Sequence, residues 1–214
     1  MKAIILLGPP GAGKGTLAEA VRDKAGYRHV STGDMLRAAI AEGTATGMEA
    51  KGYMERGELV PDAVIMRIVE ERLAQGSADE KYMFDGFPRT LAQAEMFDGV
   101  LAKMGASVSQ VFLLEVADAE IVSRLGGRRI CRGCGAVYHV KHIRPRQEGV
   151  CDNCGGELYQ RPDDSEATVQ NRLEVYHRQT ASLVGFYDQK GVLVRIDASR
   201  TPKEIADDML SRLG

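Results

Sequence analysis

Short, nearly unbroken apolar runs alternate along this chain with longer stretches in which apolar residues recur every three or four positions. Runs of the first kind predict strands at 2–7, 28–31, 81–84, 110–116 and 192–197. A run such as Ala3-Ile-Ile-Leu-Leu7 lacks alternation, as a parallel strand covered on both faces does. The second pattern predicts helices at 14–25, 33–42, 49–56, 62–74, 90–103, 118–125, 164–188 and 202–212. For the last of these, Thr201-Pro-Lys-Glu204 supplies an N-cap, a proline at the first helical position and a capping-box glutamate. Asp163-Asp-Ser-Glu166 reads in the same way for the long helix. The alternation of strand and helix predicts an α/β fold: a doubly wound, five-stranded parallel sheet with helices on both faces and a ligand at the carboxyl ends of the strands. Two segments break the rhythm. Residues 32–60 are helical without a strand, and 127–164 hold every cysteine, many glycines and a cluster of basic residues. Both read as insertions into a core made of 1–31, 61–126 and 165–214.

Composition narrows the classes. The 214 residues carry a net charge of −2, which gives no global pull toward nucleic acid or an anionic membrane. No apolar stretch approaches the length of a bilayer span. The amino terminus enters a strand at once and offers no cationic lead before a long apolar segment. These features point to the cytosol, where disulfides are uncommon.

Directly behind the first predicted strand stands Gly8-Pro-Pro-Gly-Ala-Gly-Lys-Gly-Thr16. A buried strand that ends in a glycine-rich turn and then opens a helix builds a phosphate cradle. Gly8, Gly11, Gly13 and Gly15 let backbone N–H groups turn inward, and the positive end of the helix adds to them. Lys14 supplies a mobile cation for the β/γ-phosphates, and Thr16 a hydroxyl for Mg2+. The strict P-loop pattern has that hydroxyl directly after the lysine; here Gly15 intervenes.

Tyr82-Met-Phe-Asp85-Gly-Phe-Pro-Arg89 follows the third predicted strand. Asp85, at its carboxyl end, is positioned to hold Mg2+, and Arg89 to clamp a phosphate. Arg37, Arg124, Arg128, Arg129, Arg161 and Arg172 lie scattered; beside a P-loop, some should converge on transferring phosphoryl oxygens. No residue stands out as a general base, since His29, His139, His142 and His177 occur singly. A phosphate acceptor needs none, which leaves positioning and electrostatics to do the catalysis.

Cys131-Arg-Gly-Cys134 and Cys151-Asp-Asn-Cys154 are two C-x-x-C pairs sixteen residues apart, within the range of a tetrahedral zinc site. Four thiolates leave no position open for water, so such a metal is structural. Two disulfides or free thiols are the alternative. Arg128, Arg129, Arg132, Lys141, Arg144 and Arg146 would suit a nucleic-acid-binding ribbon, but equally a triphosphate.

Taken together, Gly8–Thr16, Ser31-Thr-Gly-Asp-Met-Leu-Arg37, Asp85-Gly-Phe-Pro-Arg89 with Gln93, Gly127-Arg-Arg129, Arg161-Pro-Asp-Asp164 and Arg172 resemble the adenylate kinase family over the whole chain. The form most resembled is the bacterial one, with a long, zinc-binding lid. The resemblance implies the reaction ATP + AMP ⇌ 2 ADP with Mg2+, in purine nucleotide interconversion and energy homeostasis. It implies that Gly11, Ala12, Gly13, Lys14, Gly15 and Thr16 wrap the ATP phosphates. Thr32, Arg37, the backbone of Glu58-Leu59-Val60, Gly86, Phe87, Pro88, Arg89 and Gln93 would hold AMP. Arg128 would lie near the ATP adenine and phosphates with Val137 and Tyr138, and Arg200 would offer a backbone group to that adenine. Arg161 and Arg172 would bridge toward AMP and the transferring group, Arg124 would join the phosphate-binding set, and Asp163 and Asp164 would lie at the lid hinge. The catalytic set is then Lys14, Asp85, Arg89, Arg124, Arg128, Arg161 and Arg172; Cys131, Cys134, Cys151 and Cys154 would hold Zn2+. The family expectation is a cytoplasmic monomer whose partners are nucleotides, with neither nucleic acid nor membrane. A UMP or CMP kinase is the nearest rival, against which Thr32 argues, because pyrimidine-specific relatives usually carry alanine there. A GTP donor and a zinc-ribbon nucleic-acid-binding ATPase are the others.

Overall fold

The computed structural model describes residues 1–77 and 79–213. Its core is a five-stranded sheet of β1 (Lys2–Leu7), β2 (Arg28–Ser31), β3 (Lys81–Asp85), β4 (Val108–Glu115) and β8 (Leu193–Asp197), ordered β2-β3-β1-β4-β8. Every pairing is parallel. The predicted strands are all present, with ends shifted by a residue or two. The pleat explains why their sequences are apolar without a break. Ala3, Ile5 and Leu7 enter one layer with Phe84, Val111 and Leu113, whereas Ile4 and Leu6 enter the other with Met83, Phe112 and Ile196. Successive side chains point to opposite faces, and both faces are covered. One layer is closed by α4 (Asp62–Ala74), α5 (Leu91–Lys103) and α8 (Ser182–Gln189), through Val69, Phe97 and Tyr187. The other is closed by α1 (Lys14–Ala25) and α9 (Pro202–Arg212), through Leu17, Val21, Ile205 and Met209. The capping box at Thr201 and Glu204 opens α9 as the sequence predicts.

Between β2 and α4 stand two helices, α2 (Thr32–Ala41) and α3 (Ala45–Arg56), capped by the Ser31 and Thr44 side chains. Helix α6 (Asp118–Gly126) leads into the cysteine segment. That segment folds as an antiparallel sheet of β5 (Arg128–Cys131), β6 (Val137–His139) and β7 (Leu158–Tyr159), ordered β6-β5-β7. Strands of four, three and two residues are too short to leave a periodic signature, so hydrophobic pattern does not reveal them.

The predicted single helix over 164–188 requires correction. A short turn at Pro162–Asp164 comes first, then α7 (Glu166–Val175), a widened turn over Tyr176–Thr180 in which Ala181 N–H reaches the Tyr176 carbonyl at 2.9 Å, and then α8. Nor do Asp163 and Asp164 cap α7. Ser165 does, accepting from Thr168 N–H, while both aspartates turn toward arginines.

Candidate functional site

A cleft of about 810 Å3 opens at the carboxyl ends of the strands, lined also by residues of α2, of the 57–60 segment and of the cysteine segment. At its floor the turn after β1 gives Gly8 a φ of 142° and Gly13 a φ of 95°, values that side chains other than glycine rarely adopt. A Cβ on Gly8 would also stand 2.7 Å from the Leu114 carbonyl oxygen. Gly15 differs from the sequence expectation: it is already helical, and a Cβ there would lie 3.5 Å from Asp85 Oδ2. That is ordinary van der Waals contact, so the start of α1 lies against the carboxylate without glycine being required there. The Lys14 ammonium folds back over the loop and donates to the Gly8 and Pro9 carbonyls, each at 2.8 Å. Burial lowers its pKa to about 8; Asp85 opposes this, whereas Arg89, Arg172 and Arg128 add to it.

Those arginines arrive from different parts of the chain. Burial lowers Arg172 and Arg161 to about 10 despite the opposing charge of Asp163, and it also lowers Arg89. This concentration of cations is held together by the carboxylates of Asp164, Asp163 and Asp34. Asp164 is 0 % exposed and accepts from Arg128 Nε at 2.8 Å and Nη2 at 2.6 Å, with Arg172 Nη1 at 3.4 Å. Asp163 pairs with Arg172 at 2.9 Å. Burial would raise the pKa of Asp163, but Arg172, Arg37, Arg161 and Arg128 together hold it below the ordinary carboxylate range. Asp34 of α2 binds Arg37 at 2.5 Å and meets Arg161 at 3.5 Å, so α2 and the segment after β7 touch beside the cleft. Asp164→Asn removes the fully buried charge that accepts from both Arg128 and Arg172. The expected loss is about 3 kcal/mol of unfolding free energy, the low end for a broken buried pair because both arginines keep some solvent. Urea melts of the two proteins measure it, and a change below about 1 kcal/mol would refute the organising role.

The Asp85–Arg89 loop carries a cis Phe87–Pro88 peptide. Gly86 O receives Thr32 Oγ1 at 3.0 Å and Arg89 Nε at 2.8 Å, which joins the start of α2 to the loop. Gln93 Oε1 accepts from Arg89 N–H at 2.8 Å, and its Nε2 donates to Asp62 Oδ1 at 2.7 Å. Phe87 alone of the residues expected at the AMP end turns away; it is 1 % exposed and packs edge-on against Phe97 at 5.0 Å. Glu58, Leu59, Val60, Pro88 and Arg37 line the cleft as expected. So do Arg124 and Arg200, but Arg124 is engaged by the Ala198 carbonyl and the Glu120 carboxylate, and Arg200 by Asp208 at 2.6 Å. His29 Nε2, buried with no hydrogen-bond partner, lies 3.5 Å from Asp85 Oδ2.

Asp85 and Thr16 line the same end of the cleft and offer the hard oxygen ligands that suit Mg2+ carried on a triphosphate. In the cysteine segment, the Sγ atoms of Cys131, Cys134, Cys151 and Cys154 lie within 4.8 Å of one another. Two of the spacings are 3.4 Å and 3.5 Å. Tetrahedral zinc–thiolate bonds of about 2.3 Å put sulfurs about 3.8 Å apart, so the cage fits zinc. None of the four cysteines is joined in a disulfide, and all four sulfurs converge on one point, as a shared metal and not two separate pairs would have them. Tyr138, expected beside the ATP adenine, borders the cleft while its hydroxyl points into this knuckle, accepting from Asp152 N–H at 2.8 Å and lying 3.5 Å from Cys151 Sγ.

The residues that sequence reasoning did not single out for these contacts are Asp34, Asp62 and His29, and only their partners in the fold mark them.

The adenylate kinase family model matches residues 6–192. The chain is 51 % identical to an adenylate kinase of Carboxydothermus hydrogenoformans over 94 % of each chain. It is 50 % identical to an adenylate kinase of Bacillus licheniformis, over 99 % of this chain and 97 % of the relative. An adenylate kinase of Archaeoglobus fulgidus is also 50 % identical, over 92 % of this chain and 91 % of its own.

Proposed function

The chain belongs to the adenylate kinase family, and on that premise we propose how its residues carry the terminal phosphoryl group of MgATP to AMP, giving two ADP. The observation behind the reading is the gathering of Lys14, Arg89, Arg128, Arg161 and Arg172 in one cleft, between the Gly11–Thr16 loop at one end and the Thr32–Gly86–Gln93 group at the other. ATP lies with its phosphates on the loop, and AMP with its phosphate toward Arg89 and Arg37. An AMP phosphate oxygen bonds to the γ-phosphorus as the bond to the β–γ bridging oxygen breaks, and ADP leaves on each side. The acceptor is already an anion, so no base is required. Lys14 and the four arginines neutralise charge on the moving group and on the bridging oxygen. Mg2+, held through Asp85 and Thr16, supplies further neutralisation of the triphosphate when bound.

In this reading residues 32–60 and 127–164 are insertions that close over a core of 1–31, 61–126 and 165–214, excluding water that would otherwise take the phosphoryl group. The contact of Arg161 with Asp34 supports it. The protein works as a monomer in the cytosol and binds neither nucleic acid nor membrane. Among the described residues no helix is long and apolar enough to cross a bilayer. Thr32, tied to Gly86, supports AMP over UMP or CMP as acceptor. A coupled assay of ADP formation, run with ATP or GTP against AMP, UMP and CMP, tests donor and acceptor together. The expected result is turnover with ATP and AMP at least tenfold above any other pair. No ADP from ATP, AMP and Mg2+ would overturn the reading.

A further inference from the structure

Thr180 stands where the helical run from Glu166 to Gln189 changes geometry. The widened turn over Tyr176–Thr180 inserts one residue into the α-helical ladder, as the Ala181 N–H bond to the Tyr176 carbonyl records. Such turns occur mostly as single-turn bulges inside α-helices and are frequent at functional sites. A threonine inside a helix ordinarily bonds back to a carbonyl of its own preceding turn. Here Thr180 Oγ1 instead donates to the Arg89 carbonyl at 2.8 Å, across ninety-one positions of sequence. The residue is 5 % exposed, so water has little access to replace that bond.

The other end of the Arg89 backbone is held as well. Its N–H donates to Gln93 Oε1, and Gln93 is tied in turn to Asp62 at the start of α4. The guanidinium Nε is fixed on Gly86 O. A long arginine side chain carries much rotamer entropy, and its backbone sits in a loop. Pinning that backbone on both sides leaves the guanidinium few ways to be misplaced, which matters because errors near 1 Å in a phosphate clamp reduce the rate heavily.

We infer that Thr180 is a positioning residue for Arg89, and that the widened turn is the local geometry that delivers its hydroxyl to the Arg89 carbonyl. The inference rests on the reading of Arg89 as the clamp on the AMP phosphate. Thr180→Val keeps the side-chain shape and leaves the Arg89 carbonyl unpaired. It is expected to lower kcat/KM for AMP about tenfold, with the KM for ATP unchanged within twofold. Thr180→Ser restores the hydroxyl and should recover AMP kinetics to within about twofold. A role confined to packing would lower the melting temperature of both variants and leave the difference between AMP and ATP untouched.

A double-mutant cycle with Arg89→Ala separates the two roles. The expected outcome is a large loss for Arg89→Ala alone and no further loss when Thr180→Val is added. If Arg89→Ala is severely impaired while Thr180→Val turns over AMP like the parent, the inference falls and the clamp stands. If Arg89→Ala has no effect, both fall. Titration of AMP by calorimetry on Thr180→Val, with melting curves alongside, reads the same difference without turnover.

Discussion

Replacing Lys14 by methionine lowers kcat about 10²–10³-fold, the cost of losing one charge aimed at a developing phosphoryl anion. The ammonium sits at the mouth of the loop, bonded to the Gly8 and Pro9 carbonyls. It is therefore already oriented at the floor of the cradle when a triphosphate arrives. The same burial that lowers its pKa to about 8 makes it an expensive charge for the folded state. Methionine removes that burden, so the melting temperature of Lys14→Met should hold or rise while activity collapses. That combination separates lost chemistry from lost structure. Turnover of the variant within tenfold of the parent would sink the assignment.

The depressed pKa also fixes a pH dependence. Below about pH 8 the free protein carries the charge, and ATP affinity should be flat. Bound phosphates favour the ammonium, so above pH 8 binding must take up a proton, and affinity should fall toward tenfold per pH unit. The stability of the free fold moves the other way. The unfolded chain keeps its proton up to about 10.5, so between about 8 and 10.5 the unfolded state binds more protons and Lys14's contribution to stability rises with pH. Calorimetric titrations of ATP and urea melts, each run across this window on the parent and on Lys14→Met, read both trends. The variant has no ammonium at this position, so both slopes should shrink in it. Equal slopes in the two proteins would place the titrating group elsewhere.

Chelating the metal from the purified protein unfolds the lid and spares the sheet. The lid's apolar cluster is Cys131, Tyr138, Cys151 and Leu158, with Ala136 against it, and two of those are themselves ligands. So small a cluster cannot hold three short strands alone. Zinc bound by four thiolates contributes on the order of 10 kcal/mol to such knuckles. Without it Arg128 loses its strand and Arg161 its approach to the cleft, and ADP formation should drop at least about 10²-fold, as for other losses of positioned charge. Hydrogen exchange distinguishes lid from core: amides over 128–159 should lose protection, while those of β1 and β4 keep it. Cys151→Ser should behave like chelation. Lid amides that stay protected after metal removal would leave zinc without a structural role.

Much of this molecule is legible one segment at a time. Strand and helix order, the phosphate loop, the capping box on α9 and the two cysteine pairs all depend on neighbours within a few residues, so local pattern determines them. The long helix after the lid is the instructive failure. Its periodicity is continuous across 176–180, and nothing local demands the extra residue there; the partner that the widened turn meets is Arg89, ninety-one positions before Thr180. Asp163 and Asp164 look like caps because cap chemistry is local, yet Arg128 and Arg172 claim both. Phe87 reads as part of a binding motif and is instead a core side chain, since β3 and α5 close around it.

Residue order alone was enough for a doubly wound sheet, the end of it that takes phosphate, and a four-thiolate cage, because hydrophobic period, glycine-rich turns and C-x-x-C spacing act over short range. Which arginines converge, which carboxylates restrain them and which backbone groups hold Arg89 in place were settled by the packed chain. Those choices are made by side chains that meet across the cleft, and Coulomb attraction and hydrogen bonding respond to distance in space, not along the chain.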